Sequence, residues 1–432
     1  MKIKKLVVKN YKVFDHLELD FTDKNGEVLD TIVLAGLNGS GKTTVLELLI
    51  DIIKGIVPNG SNINTKIYLE ILLTNRYYRA DDIERHKSVL RFPDSIFNNE
   101  EFISIKPYSN DYYVLKFDFD IQKDGMPDNG THPYFTRLFG IINNLRMGNN
   151  KIFKTHTIYF YSKDKSKKSN SSQIIETTFI TNNQKVRTSI LDIITQRVFR
   201  HPDTAPRQIF TEQVNELNKI FKNLDVKSKL IQVNEKDLIF ESVNSQKIGF
   251  DDLSSGEKML YFIGFTLNQY NPYGMLIMVD EPEDSLHPKW QQQIVRFFNN
   301  VGSDNQVILA THSPQIIASV HPESLFVLAI NDETHRVEAI NMADEHKHSF
   351  GVDPNRILSE IMGTPIRDYE MQLKINALSD KIKKAEFDPS VSDLSEVEKE
   401  VDALAEDFGK QDATIMRFRN ELRLLKRKTV TA

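Results

Sequence analysis

A glycine-rich run with the spacing Gly-x-x-x-x-Gly-Lys-Thr begins at Gly36 and ends at Thr43. Glycines let the backbone curl so that successive N–H groups point inward, where they can bind the oxygens of a polyphosphate. Lys42 adds a positive charge, and Thr43 adds a hydroxyl of the kind that Mg²⁺ accepts as a ligand. The spacing therefore predicts a phosphate loop for ATP and Mg²⁺, formed by Gly36, Asn38, Gly39, Ser40, Gly41, Lys42, Thr43 and Thr44.

Two acidic residues, Asp280 and Glu281, follow directly after the apolar run Met275–Val279. Charges at the end of a buried strand are costly, so their position favours a chemical role. Asp280 is suited to hold Mg²⁺ through its water shell, and Glu281 to orient and deprotonate the water that attacks the γ-phosphorus. For Glu283 and Asp284 two interpretations stay open, a chemical role and a solvated or helix-capping one.

His312 follows the next apolar run, residues 306–311. A single histidine is usually a structural residue with satisfied hydrogen bonds. At the end of the second apolar strand after the acid pair, however, a histidine can donate a hydrogen bond to the γ-phosphate, and we favour this role. The predicted catalytic residues are Lys42, Glu281 and His312, and the predicted magnesium ligands are Thr43 and Asp280.

The elements that must position these residues follow from the hydrophobic patterns. Thr31–Ala35 is short, apolar and β-branched, as expected of a strand that is covered on both faces. Val45–Ile50 keeps helical spacing, so strand, glycine loop and helix follow in the order that a phosphate loop requires. Residues 4–9 and 17–21 predict an opening hairpin. Further strands are predicted at 112–121 and 157–161, and helices at 187–198 and 212–224.

A fourth segment, Ser254-Ser255-Gly256, precedes an apolar helical pattern, and by itself it indicates only an ordinary helix cap. The order of all four segments nevertheless resembles the ABC ATPase superfamily, whose Leu-Ser-Gly-Gly signature is matched here with Ser255 in place of the first glycine. The resemblance implies that Ser254 and Gly256 of one protomer act on the nucleotide of another. The expected partner is therefore a second copy of the chain, in a homodimer or a higher even-numbered oligomer with composite ATP sites.

Within the superfamily, the first strand and its Lys12 resemble the SMC, RecF and OLD-like branch, in which a basic residue near this position can reach the nucleotide. Asp280-Glu281-Pro282-Glu283 followed by Leu286-His287-Pro288 is typical of OLD-like and defence-associated ATPases. The architecture resembles the ATPase subunit of Septu-type antiphage systems, the PtuA family, which also occurs with some retrons. This resemblance implies a separate effector such as an HNH nuclease, because no nuclease motif is visible after His312.

The predicted fold is α/β, a two-lobed ABC-ATPase head with a mixed sheet core, an antiparallel β lobe, a helical insertion and a C-terminal helical bundle or hairpin. Stripes of apolar residues beyond residue 358 predict the terminal helices, for which docking to a partner is the preferred role. The expected domains are 1–55, the head with the phosphate loop; 56–249, an inserted β/helical lobe; 250–345, the second part of the head; and 346–432, a partner-docking region.

Two further functions stay open. One is a DNA repair or recombination ATPase that clamps DNA between its heads, for which the basic loop 163–170 is a candidate contact with DNA or RNA. The other is a structural dimer in which nucleotide turnover is unimportant. Tyr11 and Phe14 are the candidates for stacking on the adenine, whereas the glutamine that links the insertion to the γ-phosphate has several candidates.

Composition narrows the class of protein. The 432 residues contain no cysteine, which excludes disulfides, thiolate metal sites and cysteine nucleophiles. A net charge of −5 argues against a uniformly basic nucleic-acid protein. No apolar run is long enough to span a bilayer, and residues 1–5 do not begin a signal peptide. We therefore expect a cytoplasmic protein without a membrane partner.

Overall fold

A computed structural model describes most of the chain. The described residues are 1–74, 103–109, 112–120, 157–161, 174–178, 183–224, 226–233, 237–270, 272–331, 334, 336–364, 367–387 and 394–431. They divide into two compact units, residues 1–357 and residues 358–432. The basic loop 163–170 lies outside the described residues.

The described part of the first unit contains both strands and helices, and that of the second unit contains helices without strands. The strands are β1 Lys2–Tyr11, β2 Phe14–Asp20, β3 Thr31–Ala35, β4 Lys66–Thr74, β5 Ile103–Pro107, β6 Tyr112–Asp120, β7 Thr157–Tyr161, β8 Ile174–Thr178, β9 Lys229–Val233, β10 Leu238–Glu241, β11 Lys247–Gly249, β12 Leu276–Asp280, β13 Gln306–Thr311, β14 Leu325–Ile330 and β15 Val337–Asn341. The main helices are α1 Lys42–Ile53, α2 Asn183–Arg200, α3 Pro206–Ile220, α4 Ser255–Tyr270, α5 Pro288–Asn299, α6 Pro314–Ile317, α7 Tyr369–Phe387, α8 Leu394–Phe408 and α9 Ala413–Thr431.

The described strands of the first unit form three sheets. An antiparallel sheet has the order β2-β1-β4-β6-β5, and a small one has the order β11-β10-β9. A mixed sheet has the order β15-β14-β3-β13-β12-β7-β8, in which β15 is antiparallel to β14 and the other pairs are parallel. The predicted α/β class, with a mixed sheet core, antiparallel strands and a C-terminal helical region, is confirmed.

The central strands of the mixed sheet are apolar because both of their faces are covered. Every residue of β12 and β13 is buried, including the polar residues at their ends. Helix α1 follows β3 and buries Val45, Leu46, Leu48 and Leu49 against the core shared with the antiparallel sheet. This packing fixes the first turn of α1, and with it the glycine-rich loop, at one edge of the mixed sheet.

The interval between residues 56 and 249 contributes to all three sheets. Strands β4, β6 and β5 extend the antiparallel sheet that the hairpin β1–β2 begins. Strand β7, which the sequence predicts only as a strand, lies parallel to β12 inside the mixed sheet. Part of the segment expected to form an inserted lobe therefore belongs to the mixed sheet of the head. The helices α2 and α3 of this segment pack against α4.

Buried polar contacts join the two large sheets. The Gln306 side chain accepts from the Ile3 N–H at 2.6 Å and donates to the carbonyls of Ile3 and Leu29, both at 2.9 Å. A fully buried amide costs free energy unless it is bonded in this way. The bonds therefore fix β1 relative to the first residue of β13.

The second unit is a bundle of α7, α8 and α9, whose core contains the predicted stripes. Its buried residues are Ile375, Leu378, Ile382, Ala385, Val397, Val401, Leu404, Ala405, Ile415, Phe418, Leu422 and Leu425. Leu373, an apolar residue of α7, is half exposed and lies outside this core. Arg367 donates to both carboxylate oxygens of Asp412 and stacks over the Phe408 ring.

Within the described residues, no helix combines the length and the apolar character needed to cross a bilayer.

Candidate active site

The predicted site residues meet at one edge of the mixed sheet. Strand β13 lies between β3 and β12, and all three run in the same direction. In the register of the sheet, Ala35 pairs with Thr311 and Ala310 pairs with Asp280. The segments that follow these strands therefore emerge side by side, which brings together the glycine loop, the acid pair and His312.

The glycines of the loop are required by its geometry. Gly36, Gly39 and Gly41 have φ angles of 146°, 82° and 93°, which side chains disfavour. A Cβ at Gly36 would lie 2.4 Å from the Leu328 carbonyl oxygen, and one at Gly41 would lie 2.5 Å from the Phe14 ring. At Gly39 a Cβ would meet nothing within 4 Å. The loop is thus packed on its inner side and open at Gly39, as a cradle for phosphates must be.

Lys42 reaches back across the loop. Its ammonium donates to the carbonyl of Gly36 at 2.8 Å and to that of Leu37 at 2.9 Å, and the residue is only 5% exposed. Burial lowers the pKa of Lys42 from its usual value, while the negative charges of Glu281, Glu283 and Asp280 oppose that shift. The lysine is therefore held in position by the loop itself, with acidic groups near its charge.

Thr43 and Asp280 are joined directly. The Thr43 hydroxyl donates to Oδ1 of Asp280 at 2.9 Å, and Asp280 is almost fully buried. Within the described residues, no group of three or more His, Cys, Asp and Glu could hold a metal ion. Two hard oxygens at this spacing nevertheless fit Mg²⁺, which takes most of its ligands from phosphates and water.

Glu281 leaves strand β12 in a strained conformation. Its φ angle is +51°, and its N–H donates to the Ala310 carbonyl at 2.8 Å. A non-glycine residue in this region costs of order 1 kcal/mol or more and is often found at functional sites. The turn directs the chain away from the strand immediately after Asp280, and Glu281 remains partly accessible.

Glu283 is one of the two acidic residues whose role the sequence leaves open, and the other, Asp284, is exposed. Glu283 is 7% exposed, and its Oε1 accepts from the Thr311 hydroxyl and from the His312 N–H, both at 2.7 Å. It is neither solvated nor a helix cap. The sequence shows that a carboxylate lies two residues after the acid pair. It does not show that this carboxylate is hydrogen-bonded to Thr311 and His312 at the end of β13.

The segment Ser254–Gly256 begins helix α4. Oε2 of Glu257 accepts from the Ser254 hydroxyl at 2.8 Å and from its N–H at 3.1 Å, which is a capping arrangement. Ser254 and Ser255 are exposed, whereas Gly256 is buried where a Cβ would lie 2.6 Å from the Ser285 carbonyl oxygen. The two serines are accessible to another molecule, and the glycine is required by packing.

Several other predicted residues lie around the loop. Asn38 is exposed, Thr44 is half-buried, and Ser40 is buried with an Oγ that has no hydrogen-bond partner among the described residues. The Lys12 ammonium is bonded to Glu47 of α1 at 3.3 Å. The described contacts therefore place Lys12 against helix α1.

The assignment of Tyr11 or Phe14 as the adenine-stacking residue is wrong. Both residues are completely buried, and the Tyr11 hydroxyl donates to the Asn59 carbonyl at 3.0 Å. A buried ring has no face available for a base. The neighbouring Val13 is 45% exposed and lies beside Gly41, so an apolar surface is present there instead.

Models of known protein families match the parts of the chain that form this site. The family model described as "AAA domain, putative AbiEii toxin, Type IV TA system" matches residues 32–318. A second model, described as "AAA ATPase domain", matches residues 1–55. Together the two matches include every predicted site residue.

Two curated relatives are a retron ATPase and a Septu protein by name. The chain is 22% identical over 419 residues to "Retron Vc95 probable ATPase" of Vibrio cholerae serotype O1 biovar El Tor, covering 79% of this chain and 76% of that protein. It is 25% identical over 181 residues to "Septu protein PtuA" of Bacillus thuringiensis, covering 38% of this chain and 45% of that protein.

Among solved structures, the chain is similar to the SMC head domain from Thermotoga maritima, with a TM-score of 0.43 and 13% identity over 79% of this chain and 99% of that one. It is also similar to an SMC head bound to the C-winged helix domain of ScpA, with a TM-score of 0.47 and 14% identity over 80% of this chain and 100% of that one.

Proposed function

Because the chain belongs to the family described as "AAA domain, putative AbiEii toxin, Type IV TA system", we propose that the edge of its mixed sheet binds and hydrolyses ATP. The resemblance of the sequence to ABC-type ATPases of the SMC, RecF and OLD-like branch is confirmed by the family match and by the retron and Septu relatives. The single observation that most supports hydrolysis is the 2.9 Å bond between Thr43 and Asp280, beside Lys42 and Glu281.

Each residue of the site has a distinct role in this proposal. The loop N–H groups and Lys42 bind the β- and γ-phosphates, for which Lys42 exchanges its two carbonyl acceptors for phosphate oxygens. Thr43 and Asp280 hold Mg²⁺, which when bound neutralises charge on the phosphates. Glu281 accepts a proton from the attacking water, and His312 donates a hydrogen bond to the γ-phosphate.

The site is completed by a second copy of the chain. Ser254 and Ser255 are exposed at the start of α4, and the described side-chain hydrogen bonds of Ser254 are to Glu257 rather than to the phosphate loop. A helix N-terminus of this kind suits a phosphate. We assign Ser254 to the γ-phosphate bound by the partner copy and Gly256, which is buried, to the packing that positions Ser254. In this way two ATP molecules are enclosed in a head-to-head dimer.

The names of the relatives support a role in antiphage defence. In this role the nucleotide state of the dimer regulates a separate effector, such as an HNH nuclease, and the helical bundle of residues 367–431 is the proposed docking region. The alternative role of a DNA repair clamp depends on the basic loop 163–170, which lies outside the described residues.

Phosphate release from ATP tests the proposed function. The wild-type chain should hydrolyse ATP in the presence of Mg²⁺, and Lys42→Ala should abolish both nucleotide binding and hydrolysis. Glu281→Gln should retain ATP binding while phosphate release falls at least about 100-fold, since it loses only the proton acceptor. A wild-type chain, alone or with its effector, that binds no ATP would contradict the proposal.

A further inference from the structure

The Glu283 carboxylate connects the acid turn to the end of strand β13. One oxygen, Oε1, accepts from the Thr311 hydroxyl and from the His312 N–H at 2.7 Å. The other oxygen, Oε2, is buried and has no hydrogen-bond partner among the described residues. A buried carboxylate costs several kcal/mol unless its charge has a use or a partner.

The His312 imidazole lies against the same oxygen. Its Nδ1 is buried, makes no hydrogen bond to a described residue, and is 3.1 Å from Oε1 of Glu283. The Glu283 side chain is 6% exposed and that of His312 is 42% exposed. The Nδ1 edge of the ring therefore faces inward, beside the carboxylate. Nε2 is the ring nitrogen farther from Glu283.

We infer that Glu283 is a positioning residue, which orients the His312 ring through Nδ1 so that Nε2 faces the γ-phosphate of bound ATP. The inference rests on the proposed function and deepens it, since it identifies what holds the phosphate-sensing histidine. Oε1 of Glu283 accepts from the His312 backbone N–H and also lies 3.1 Å from the ring Nδ1, so one carboxylate oxygen contacts both the backbone and the ring of this residue. A histidine with one oriented nitrogen has a defined tautomer.

The tautomer has a chemical consequence. With a proton on Nδ1 directed at Glu283, the neutral ring has only a lone pair at Nε2. Nε2 can then donate to a phosphate oxygen only when the ring carries a proton on both nitrogens. Glu283 thus determines whether His312 attracts or repels the γ-phosphate.

The tautomer can be measured without nucleotide. Histidine side-chain ¹⁵N NMR on the nucleotide-free protein, with His312→Ala used to assign the signal, should show His312 protonated on Nδ1. In Glu283→Ala, which removes the acceptor, this preference should disappear. A wild-type His312 signal with its proton on Nε2 would overturn the inference whether or not the chain hydrolyses ATP.

A double-mutant cycle tests the effect on turnover. Glu283→Gln keeps an oxygen that accepts from Thr311 and His312 but loses the charge, so kcat should fall about 10- to 100-fold with little change in KM. In the His312→Ala background the same substitution should have no further effect, because Glu283 acts through the ring. Equal losses in both backgrounds would overturn the inference.

Thr311→Val is the matched control for a purely structural role. It removes one donor to Oε1 and leaves the carboxylate beside His312, so kcat should stay near that of the wild type. A loss as large as that of Glu283→Gln would mean that Glu283 only anchors β13. If Glu283→Gln fails to fold, Glu283→Asp replaces it in the cycle, with the same expected dependence on His312. An inactive wild-type chain would contradict the proposed function, and the NMR result would still decide the inference.

Discussion

Gly256 at the start of α4 packs directly against Ser285 in the turn that follows the acid pair. A Cβ on Gly256 would lie 2.6 Å from the Ser285 carbonyl oxygen and 3.0 Å from the Trp290 ring. Ser285 itself has a φ angle of +66°, so this turn is held in an unusual conformation. The segment proposed to act on the partner's nucleotide is thus in contact with the turn that contains Glu281.

Gly256→Ala should disrupt this contact. A methyl group cannot fit against a backbone oxygen at 2.6 Å, so the turn or the helix must shift, at a cost of about 1–3 kcal/mol. We expect lower stability in urea denaturation together with slower ATP hydrolysis. Ser255→Ala, an exposed neighbour, should leave the free energy of unfolding within about 0.5 kcal/mol. Equal stability of the two variants would show that the close packing is absent in solution.

Glu257→Ala should loosen the start of α4. The carboxylate accepts from Ser254 and also from the Ser228 N–H at 3.1 Å, so its removal leaves one buried donor, the Ser228 N–H, without an acceptor. The expected loss of stability is about 1–2 kcal/mol. Thermal unfolding measures it, with the exposed Glu345→Ala as the control. An unchanged melting temperature for Glu257→Ala would refute the capping role.

Asp280→Asn should weaken the response to magnesium. The wild-type chain should lose hydrolysis when EDTA removes the metal, since Thr43 and Asp280 hold Mg²⁺ against the phosphates. The variant keeps the Thr43 contact but loses the charge, and its half-maximal Mg²⁺ concentration should rise about 10-fold. Magnesium titration of phosphate release gives this value for both proteins. The same midpoint in both would exclude Asp280 as a ligand.

Arg367→Met should destabilise the helical bundle in a pH-dependent way. Hydrogen bonds from Arg367 lower the pKa of Asp412 below its usual value. A lowered pKa in the folded state stabilises the protein above the unfolded-state pKa, and this contribution is lost as pH falls through the folded-state pKa. The variant should therefore be less stable by about 0.5–1 kcal/mol at pH 6, and this difference should shrink below about pH 4. A difference that is constant from pH 6 to pH 3, in thermal unfolding of both proteins, would contradict this account.

The sequence predicts the site better than it predicts the fold around it. The phosphate loop, Asp280 and His312 each follow a buried strand, and this local pattern is enough to place them at one edge of a parallel sheet. The position of β7 inside that sheet depends on contacts with β12, which are distant in sequence.

Contacts between residues that are distant in sequence also explain which details the sequence did not predict. Tyr11 is an aromatic residue followed by a turn, which made it a candidate for stacking on a base. It is instead buried in the core at the end of β1, and the residue type alone does not reveal this burial. The role of Glu283 depends on Thr311 and His312, to which no local pattern connects it. The helical stripes of the bundle were predictable because the period of a helix is local, except at Leu373 on its outer face.

The central claim, that two heads enclose ATP between them, is tested most directly by the mass of the Glu281→Gln protein in solution. With ATP and Mg²⁺ the account predicts an even-numbered assembly with ATP retained, which returns to smaller species without nucleotide. Adding Ser254→Arg to the Glu281→Gln protein should prevent this assembly while each head still binds ATP. A Glu281→Gln protein that stays monomeric with ATP bound would contradict the composite site.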